Sequence, residues 1–416
     1  MNLTYRHTRY ACYTGYITQA IVNNLAPLFF IIFSETYSVS YRGLGSLVML
    51  NFMVQLGVDA VCIKLAAKIG YKPLLVAAQA ISTAGLVLLG LLPLLITPVF
   101  TALAISVVVY AIGGGLLEVL VSPVIDGIPA DAGQKPAAMS FLHSFYCWGQ
   151  MAVILLTTFL LSRFGLGNWF ALPFLWAVIP FANMFLFIKA PMVAVLPSEK
   201  STGIRKMAGQ PVFYLSLLLM LCAGASEQTV AQWASLFAEK ALNLPKVAGD
   251  ICGPALFALF MGTGRVIYGL WGAKIKIFPY MIFSAGLCVA CYLCLGLAPY
   301  PPAQLAACAL TGFSVSIMWP AVLSLSSARF PLGGSALFAI LALMGDLGCG
   351  SGPWIAGLVS GYAGTAGNQM NGLQTGSFLT SSFLTRLQPL NAGLLACIVF
   401  PVLFLIAAIM FRNKNS

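Results

Sequence analysis

Apolar residues run through this chain in long stretches broken by short polar interruptions. A helix needs about 20 apolar residues to cross the hydrocarbon of a bilayer. Stretches of that length are expected to form spans at 9–34, 42–66, 73–96, 99–125, 137–162, 168–190, 209–237, 247–272, 278–298, 302–327, 331–361 and 389–411. In lipid the backbone must satisfy its own hydrogen bonds, so each such stretch becomes a helix. The pattern predicts an all-α membrane protein with twelve transmembrane helices. Two connections are long: 191–208, which holds Glu199, Lys200, Arg205 and Lys206, and 362–388, rich in Gly, Asn, Gln, Ser and Thr.

Composition excludes a soluble domain. Of 416 residues, 60% are hydrophobic and 7% charged, against about 25% charged in ordinary soluble domains. The net charge of +11 does not point to nucleic acid, because the basic residues stand one or two at a time between apolar stretches. They set topology instead: Lys and Arg stay on the cytoplasmic side. With the N-terminus inside, the inner segments hold Arg6, Arg9, Lys64, Lys68, Lys72, Lys135, Lys189, Lys200, Arg205, Lys206, Lys274, Lys276, Arg329, Arg412 and Lys414. The outer segments hold Arg42, Arg163, Lys240, Lys246 and Arg386, and Arg265 lies within the eighth span. This bias predicts a multi-pass protein of the plasma (inner) membrane with both termini cytoplasmic. The N-terminus runs from Met1 into a long apolar stretch without a short signal-like core, so it reads as a first span. Cysteines such as Cys288, Cys291 and Cys294 lie on one apolar helix without His or acid nearby, which argues for buried thiols rather than a metal site or disulfides.

An internal repeat is visible. Ala67-Lys68-Ile69 recurs as Ala273-Lys274-Ile275, and Pro73 as Pro279, each after the second helix of a six-helix half. The chain divides into a bundle at 1–190, a cytoplasmic linker at 191–208 and a bundle at 209–416. In such repeats the functional site is expected between the halves near mid-membrane.

The loop Leu65-Ala66-Ala67-Lys68-Ile69-Gly70-Tyr71-Lys72-Pro73 resembles the helix 2–3 signature of the major facilitator superfamily, with Ala67 where that signature carries Asp. Gly113-Gly114-Gly115-Leu116-Leu117-Glu118, Ser122-Pro123, Leu142-His143-Ser144-Phe145, Gly224-Ala225-Ser226-Glu227 and Ile317-Met318-Trp319-Pro320 resemble the fucose–proton symporter and its sugar-transporting relatives. The resemblance implies two pseudo-symmetric six-helix bundles whose helices 1, 4, 7 and 10 line a central cavity. One departure matters. In the fucose symporter an acidic residue follows an Asn-Asn pair by three positions; here Asn23-Asn24 is followed at that place by Pro27. Proton chemistry must therefore rest on other carboxylates.

A charge inside a bilayer costs about 2.5–3.5 kcal/mol on insertion scales. Four intramembrane carboxylates stand out: Asp59, Glu118, Glu227 and Asp346. A protonated, neutral Glu118 can be occluded cheaply and an ionised one resists occlusion, which is how a proton gradient drives a solute. The bland alternative is a carboxyl satisfied by donors such as His143. Glu118, Glu227 and His143 are the candidate proton-coupling groups. Gln19, Asn23, Asn24, Asn51, Gln150, Gln228, Gln232, Trp233 and Trp319 are candidates for a sugar site, since amides bond hydroxyls and aromatic faces stack on C–H groups. For Gln228, Gln232 and Trp233, interhelical glue and core packing are equally good readings. Asn51, Gln55 and Asp59 recur every four residues on one face of the second span, as for a packing seam. Asp346 is expected to pair with Arg265, and Asp59 joins them as a structural or gating charge.

No GxxxxGK loop, metal motif or nucleophile spacing is present, so neither ATP-driven pumping nor an enzyme is expected, and no cofactor. The sequence points to a secondary transporter of a small polar solute, by the resemblance a sugar, with proton symport, acting as a monomer. Two alternatives remain open. A proton-coupled exporter of amphipathic compounds would usually carry a Gly-Pro pair in helix 5, where this chain has Trp148-Gly149-Gln150-Met151. A non-transporting sensor would have no reason to retain buried carboxylates.

Overall fold

The computed structural model describes all residues except 1–2, 129–134, 193–206, 272–275, 331–333, 373–386 and 414–416. Among the described residues, twelve helices are long and apolar enough to cross a membrane. They are α1 (Tyr5–Tyr37), α2 (Tyr41–Cys62), α3 (Tyr71–Leu95), α4 (Val99–Ile125), α5 (Leu142–Phe164), α6 (Ala171–Lys189), α7 (Pro211–Lys240), α8 (Lys246–Tyr268), α9 (Ile277–Leu297), α10 (Pro301–Arg329), α11 (Ala339–Thr365) and α12 (Pro389–Arg412). Each overlaps one expected span. The second copy of the repeated loop, Ala273-Lys274-Ile275, and most of the expected linker lie outside the described residues.

Two differences from the expected boundaries have local causes. The eleventh helix runs on to Gly372, so the first part of the expected 362–388 connection is helical, with Ala363 buried. The seventh helix continues past 237 to Lys240, because Glu239 and Lys240 both find ionic partners there.

Several spans are interrupted. The first α-helical stretch ends at Asn24 and gives way to a 3₁₀ turn at Ala26–Phe29 before Phe30–Tyr37. Pro27 explains this. It has no N–H, and its ring collides with the carbonyl four residues earlier, that of Asn23. The break therefore falls directly after the Asn23-Asn24 pair. The tenth helix is split at Ser316-Ile317. The eighth passes from an α-helical turn, Lys246–Asp250, into a π-helical turn, Ile251–Ala255, around Pro254.

The chain forms two compact units. One comprises Met1–Phe29 and Leu50–Glu199, the other Phe30–Met49 and Lys200–Ser416. The segment 30–49 thus groups with the second unit, whereas the repeat assigned it to the first bundle. Its contacts show why. Phe30 and Tyr41 stand edge-on to the Trp233 ring, Glu35 is salt-bridged to Lys240, and Gly45 packs against the backbone of Pro353 and Gly357.

Within each unit, glycines set the closest helix approaches. In the first, a Cβ at Gly85 would lie 2.3 Å from the backbone nitrogen of Tyr110, joining α3 to α4. In the second, a Cβ at Gly348 would lie 2.0 Å from the Leu221 carbonyl oxygen, joining α11 to α7. Small residues at such crossings allow backbone-to-backbone packing, which drives association when lipid is as apolar as the side chains.

Candidate functional site

The first unit holds a connected polar cluster in an apolar surround. The Gly113-Gly114-Gly115 run lets α4 lie close to α1 and α2. A Cβ at Gly114 would be 2.9 Å from Gln19 Oε1, and one at Gly115 would be 3.0 Å from the Gln55 Cα. The two glutamines therefore sit on the glycine face, where both reach neighbours. Gln19 Nε2 donates to Gln55 Oε1 at 2.8 Å and to Glu118 Oε2 at 2.9 Å. Gln55 Nε2 and Asn51 Nδ2 both donate to Asn23 Oδ1, at 2.9 and 3.0 Å. Asn24 turns the other way, to the Ala20 carbonyl at 2.9 Å and the Tyr146 hydroxyl at 3.4 Å.

The structure thus brings Gln19, Asn23, Asn51, Gln55 and Glu118 together. Glu118 is half-buried, and its hydrogen-bond donor is a neutral amide rather than the His143 weighed from the sequence. Asp59 is buried. Gln150 is buried in α5, and its Oε1 has no hydrogen-bond partner; the same holds for Asn51 Oδ1.

His143 lies at the start of the fifth span, Leu142–Phe164, with an exposed side chain whose ring stands edge-on to Tyr16 at 5.1 Å between centroids. The buried face of this turn belongs to Leu142, and helical geometry turns its neighbour away.

The second unit holds a chain of polar contacts on α7 and α8. Arg265 Nη2 donates to Glu227 Oε2 at 3.3 Å. Gln228 Nε2 reaches Glu227 Oε1 at 3.5 Å, and Gln232 Nε2 donates to Gln228 Oε1 at 3.0 Å. Glu227 and Glu118 are therefore different in kind: one faces a guanidinium, the other an amide. Asp346, expected as the partner of Arg265, is buried in α11. Beside it, the Trp319 indole lies against Gly345, where a Cβ would fall 2.3 Å from the ring. Trp233 is fully buried and donates its indole N–H to the Pro353 carbonyl at 3.0 Å. The Phe30 and Tyr41 rings stand edge-on to it.

One charged cluster was missed in the sequence. Lys246 Nζ bonds Ser235 Oγ at 2.9 Å, Glu239 Oε1 at 2.9 Å and Asp250 Oδ1 at 3.0 Å, and Ser235 also bonds Asp250 at 2.5 Å. Glu239 and Asp250 are buried. The charge bias places Lys246 in an outer segment, which hides its partners. Asp250, inside the expected eighth span, was the available signal. Among the described residues no group of three or more His, Cys, Asp or Glu could hold a metal ion.

Comparison with known proteins adds the family. The model of the Major Facilitator Superfamily matches residues 12–353. Among solved structures, a bacterial homolog of the human lysosomal transporter Spinster, inward-facing and occupied, superposes with a TM-score of 0.74 at 14% identity, covering 97% of this chain and 96% of that one. A D-xylose–proton symporter gives 0.72 at 16% identity, covering 97% and 95%. The nucleoside transporter NupG gives 0.71 at 11% identity, covering 97% and 98%. At these identities the likeness is one of fold. No curated protein matches the sequence.

Proposed function

Because this chain belongs to the Major Facilitator Superfamily, a transporter family rather than an enzyme family, we propose that it is a secondary active transporter of a small polyhydroxylated solute, a sugar, driven by proton symport. It works by alternating access in the plasma membrane with both termini in the cytoplasm. The observation that carries this reading is Glu118, a half-buried carboxylate whose hydrogen-bond donor is the neutral Gln19 amide. Among the described residues no salt bridge reaches Glu118, whereas Glu227 has Arg265. An ion-paired carboxylate already has its charge answered, so of the two glutamates Glu118 is the proton carrier.

Polar groups of the first unit suit a hydroxylated solute. Asn51 Oδ1 and Gln150 Oε1 are buried acceptors without donors, and leaving such groups unmet costs about 1–3 kcal/mol each. A sugar supplies O–H donors. The solved structure of a D-xylose–proton symporter and the resemblance to the fucose–proton symporter branch support that choice.

The test is uptake into proteoliposomes from a sugar panel under an imposed pH gradient, wild type against Glu118→Gln. Wild type should concentrate its sugar on the alkaline side, and Glu118→Gln should only equilibrate it. Proton-driven accumulation by Glu118→Gln would remove Glu118 from the mechanism. Flux of no sugar at all would overturn the substrate class.

A further inference from the structure

Every link between Glu118 and Asn51 is a side-chain hydrogen bond. Gln19 Nε2 donates to Glu118 Oε2 at 2.9 Å and to Gln55 Oε1 at 2.8 Å. Gln55 Nε2 donates to Asn23 Oδ1 at 2.9 Å, and Asn51 Nδ2 donates to the same oxygen at 3.0 Å. Gln55 stands in the middle of this chain at 0% exposure, so it can act on a solute only through its neighbours. The far end is open: Asn51 Oδ1 is buried without a hydrogen-bond partner.

The charge at one end fixes the polarity of every amide. An ionised carboxylate only accepts, so Gln19 must turn its nitrogen to Glu118. That nitrogen also faces Gln55, which must answer with oxygen. Gln55 then offers nitrogen to Asn23, Asn23 offers oxygen, and Asn51 turns its own nitrogen there. What remains at the open end is an acceptor. A proton on Glu118 gives the carboxyl an O–H, which Gln19 Oε1 accepts once its amide turns over. The alternation then runs in reverse: Gln55 donates to Gln19, Asn23 donates to Gln55 and to Asn51, and Asn51 is left with a donor N–H. Each arrangement makes four bonds. An amide has nearly the same shape either way round, so the charge on Glu118 decides between them. Reversing one amide alone sets like atoms face to face and forfeits a buried bond. The other titratable groups near the chain are Asp59 on α2, four residues beyond Gln55, Tyr16 on α1, bonded to Ser122, and His143 of α5 against Tyr16. None of the four bonds goes to them.

We infer that the Gln19–Gln55–Asn23 chain makes Asn51 an acceptor when Glu118 is ionised and a donor when it is protonated, with Gln55 as the positioning residue. The solute group that meets Asn51 is then one able to do both, a hydroxyl. The inference rests on the proton-symport reading above and supplies a reason for its substrate class. A hydroxyl donates and accepts, so it stays bonded while the proton is loaded and released. An ammonium only donates and a carboxylate or ether only accepts, so each loses the bond in one of the two states. The O–H of Glu118 is the only covalent bond made or broken; the amides merely rotate.

The test is counterflow exchange in proteoliposomes at equal pH on both sides. The probes are D-xylose and the other sugars of the panel, then monofluorinated analogues of the exchanged sugar, one for each hydroxyl. Fluorine is close to a hydroxyl in size, accepts weakly and cannot donate. In wild type, one analogue should lose roughly 10-fold more affinity, relative to its parent sugar, at alkaline than at acidic pH. Glu118→Gln and Gln55→Met should hold that ratio of KM values constant with pH. Asn23→Leu breaks the next link and should do the same, which keeps the test open where Gln55→Met does not fold. A merely structural Gln55 would shift both KM values together and leave the pH dependence of their ratio in place; that result overturns the role of the chain. A wild-type ratio that ignores pH for every analogue overturns it equally. Failure of the underlying reading looks different: wild type would exchange no sugar, or Glu118→Gln would still accumulate sugar on a pH gradient, and the inference would fall with it.

Discussion

Gly114→Ala tests whether the glycine run exists to seat Gln19 against Glu118. The new Cβ would lie 2.9 Å from Gln19 Oε1 and 3.0 Å from Val22 Cγ1, where ordinary contact begins at 3.4 Å. Both obstacles are side-chain atoms, so α4 need not move. Gln19 must retreat by about 0.5 Å, and its planar amide carries Nε2 with it. The bonds to Gln55 and Glu118, now 2.8 and 2.9 Å, then stretch beyond the usual limit of about 3.2 Å. A neutral hydrogen bond contributes about 1 kcal/mol and one to a charged group about 1.5–3, so the expected loss is about 2–4 kcal/mol. The assay is denaturant unfolding in detergent micelles of Gly114→Ala, Gln19→Ala and the double variant. Removing Gln19 first takes away the nearest obstacle, so Gly114→Ala should then cost less by at least ~1 kcal/mol, the scale of coupling between touching residues. Gly57→Ala is the control, with nothing within 4 Å of its Cβ; it should be neutral or stabilising. An equal cost for Gly114→Ala with and without Gln19 would refute the reasoning.

Gly85→Ala and Gly348→Ala oppose backbone rather than side chain, at 2.3 Å and 2.0 Å, so each should lower stability by about 1–3 kcal/mol or more, seen as reduced melting temperature and yield. Lys246→Met removes the cation between buried Glu239 and Asp250; breaking one side of such a pair should cost about 3–5 kcal/mol, read by thermal unfolding of purified protein. Trp233→Phe keeps the ring packing and loses the N–H bond to Pro353, so stability should drop by about 1 kcal/mol while sugar uptake persists; loss of uptake without loss of stability would return Trp233 to the substrate site.

Architecture was legible because the bilayer simplifies it. A span must be long, apolar and helical, so twelve apolar stretches read directly as twelve helices. The site was legible in part for the same reason: polar residues are rare enough in such stretches that Gln19, Asn23, Asn51, Gln55 and Glu118 stood out before any contact was known. Pro27 carries a signal for the break after Asn24, since its missing N–H is a property of the residue alone, but reading 9–34 as one span passes over it.

Partnership was decided only by the tertiary structure. Sequence could list Glu118, Glu227, Arg265 and His143, but their roles depend on which atoms meet. Arg265 reaches Glu227, Gln19 reaches Glu118, and His143 lies exposed beside Tyr16. Trp233 turned from a candidate for stacking on solute into a packed ring with its N–H engaged. Lys246, apparently a loop charge, holds two buried carboxylates. The physical reason is range. Hydrophobic length acts along the chain and is written locally, whereas a charge in hydrocarbon is governed by whatever lies within a few ångströms, usually on another helix.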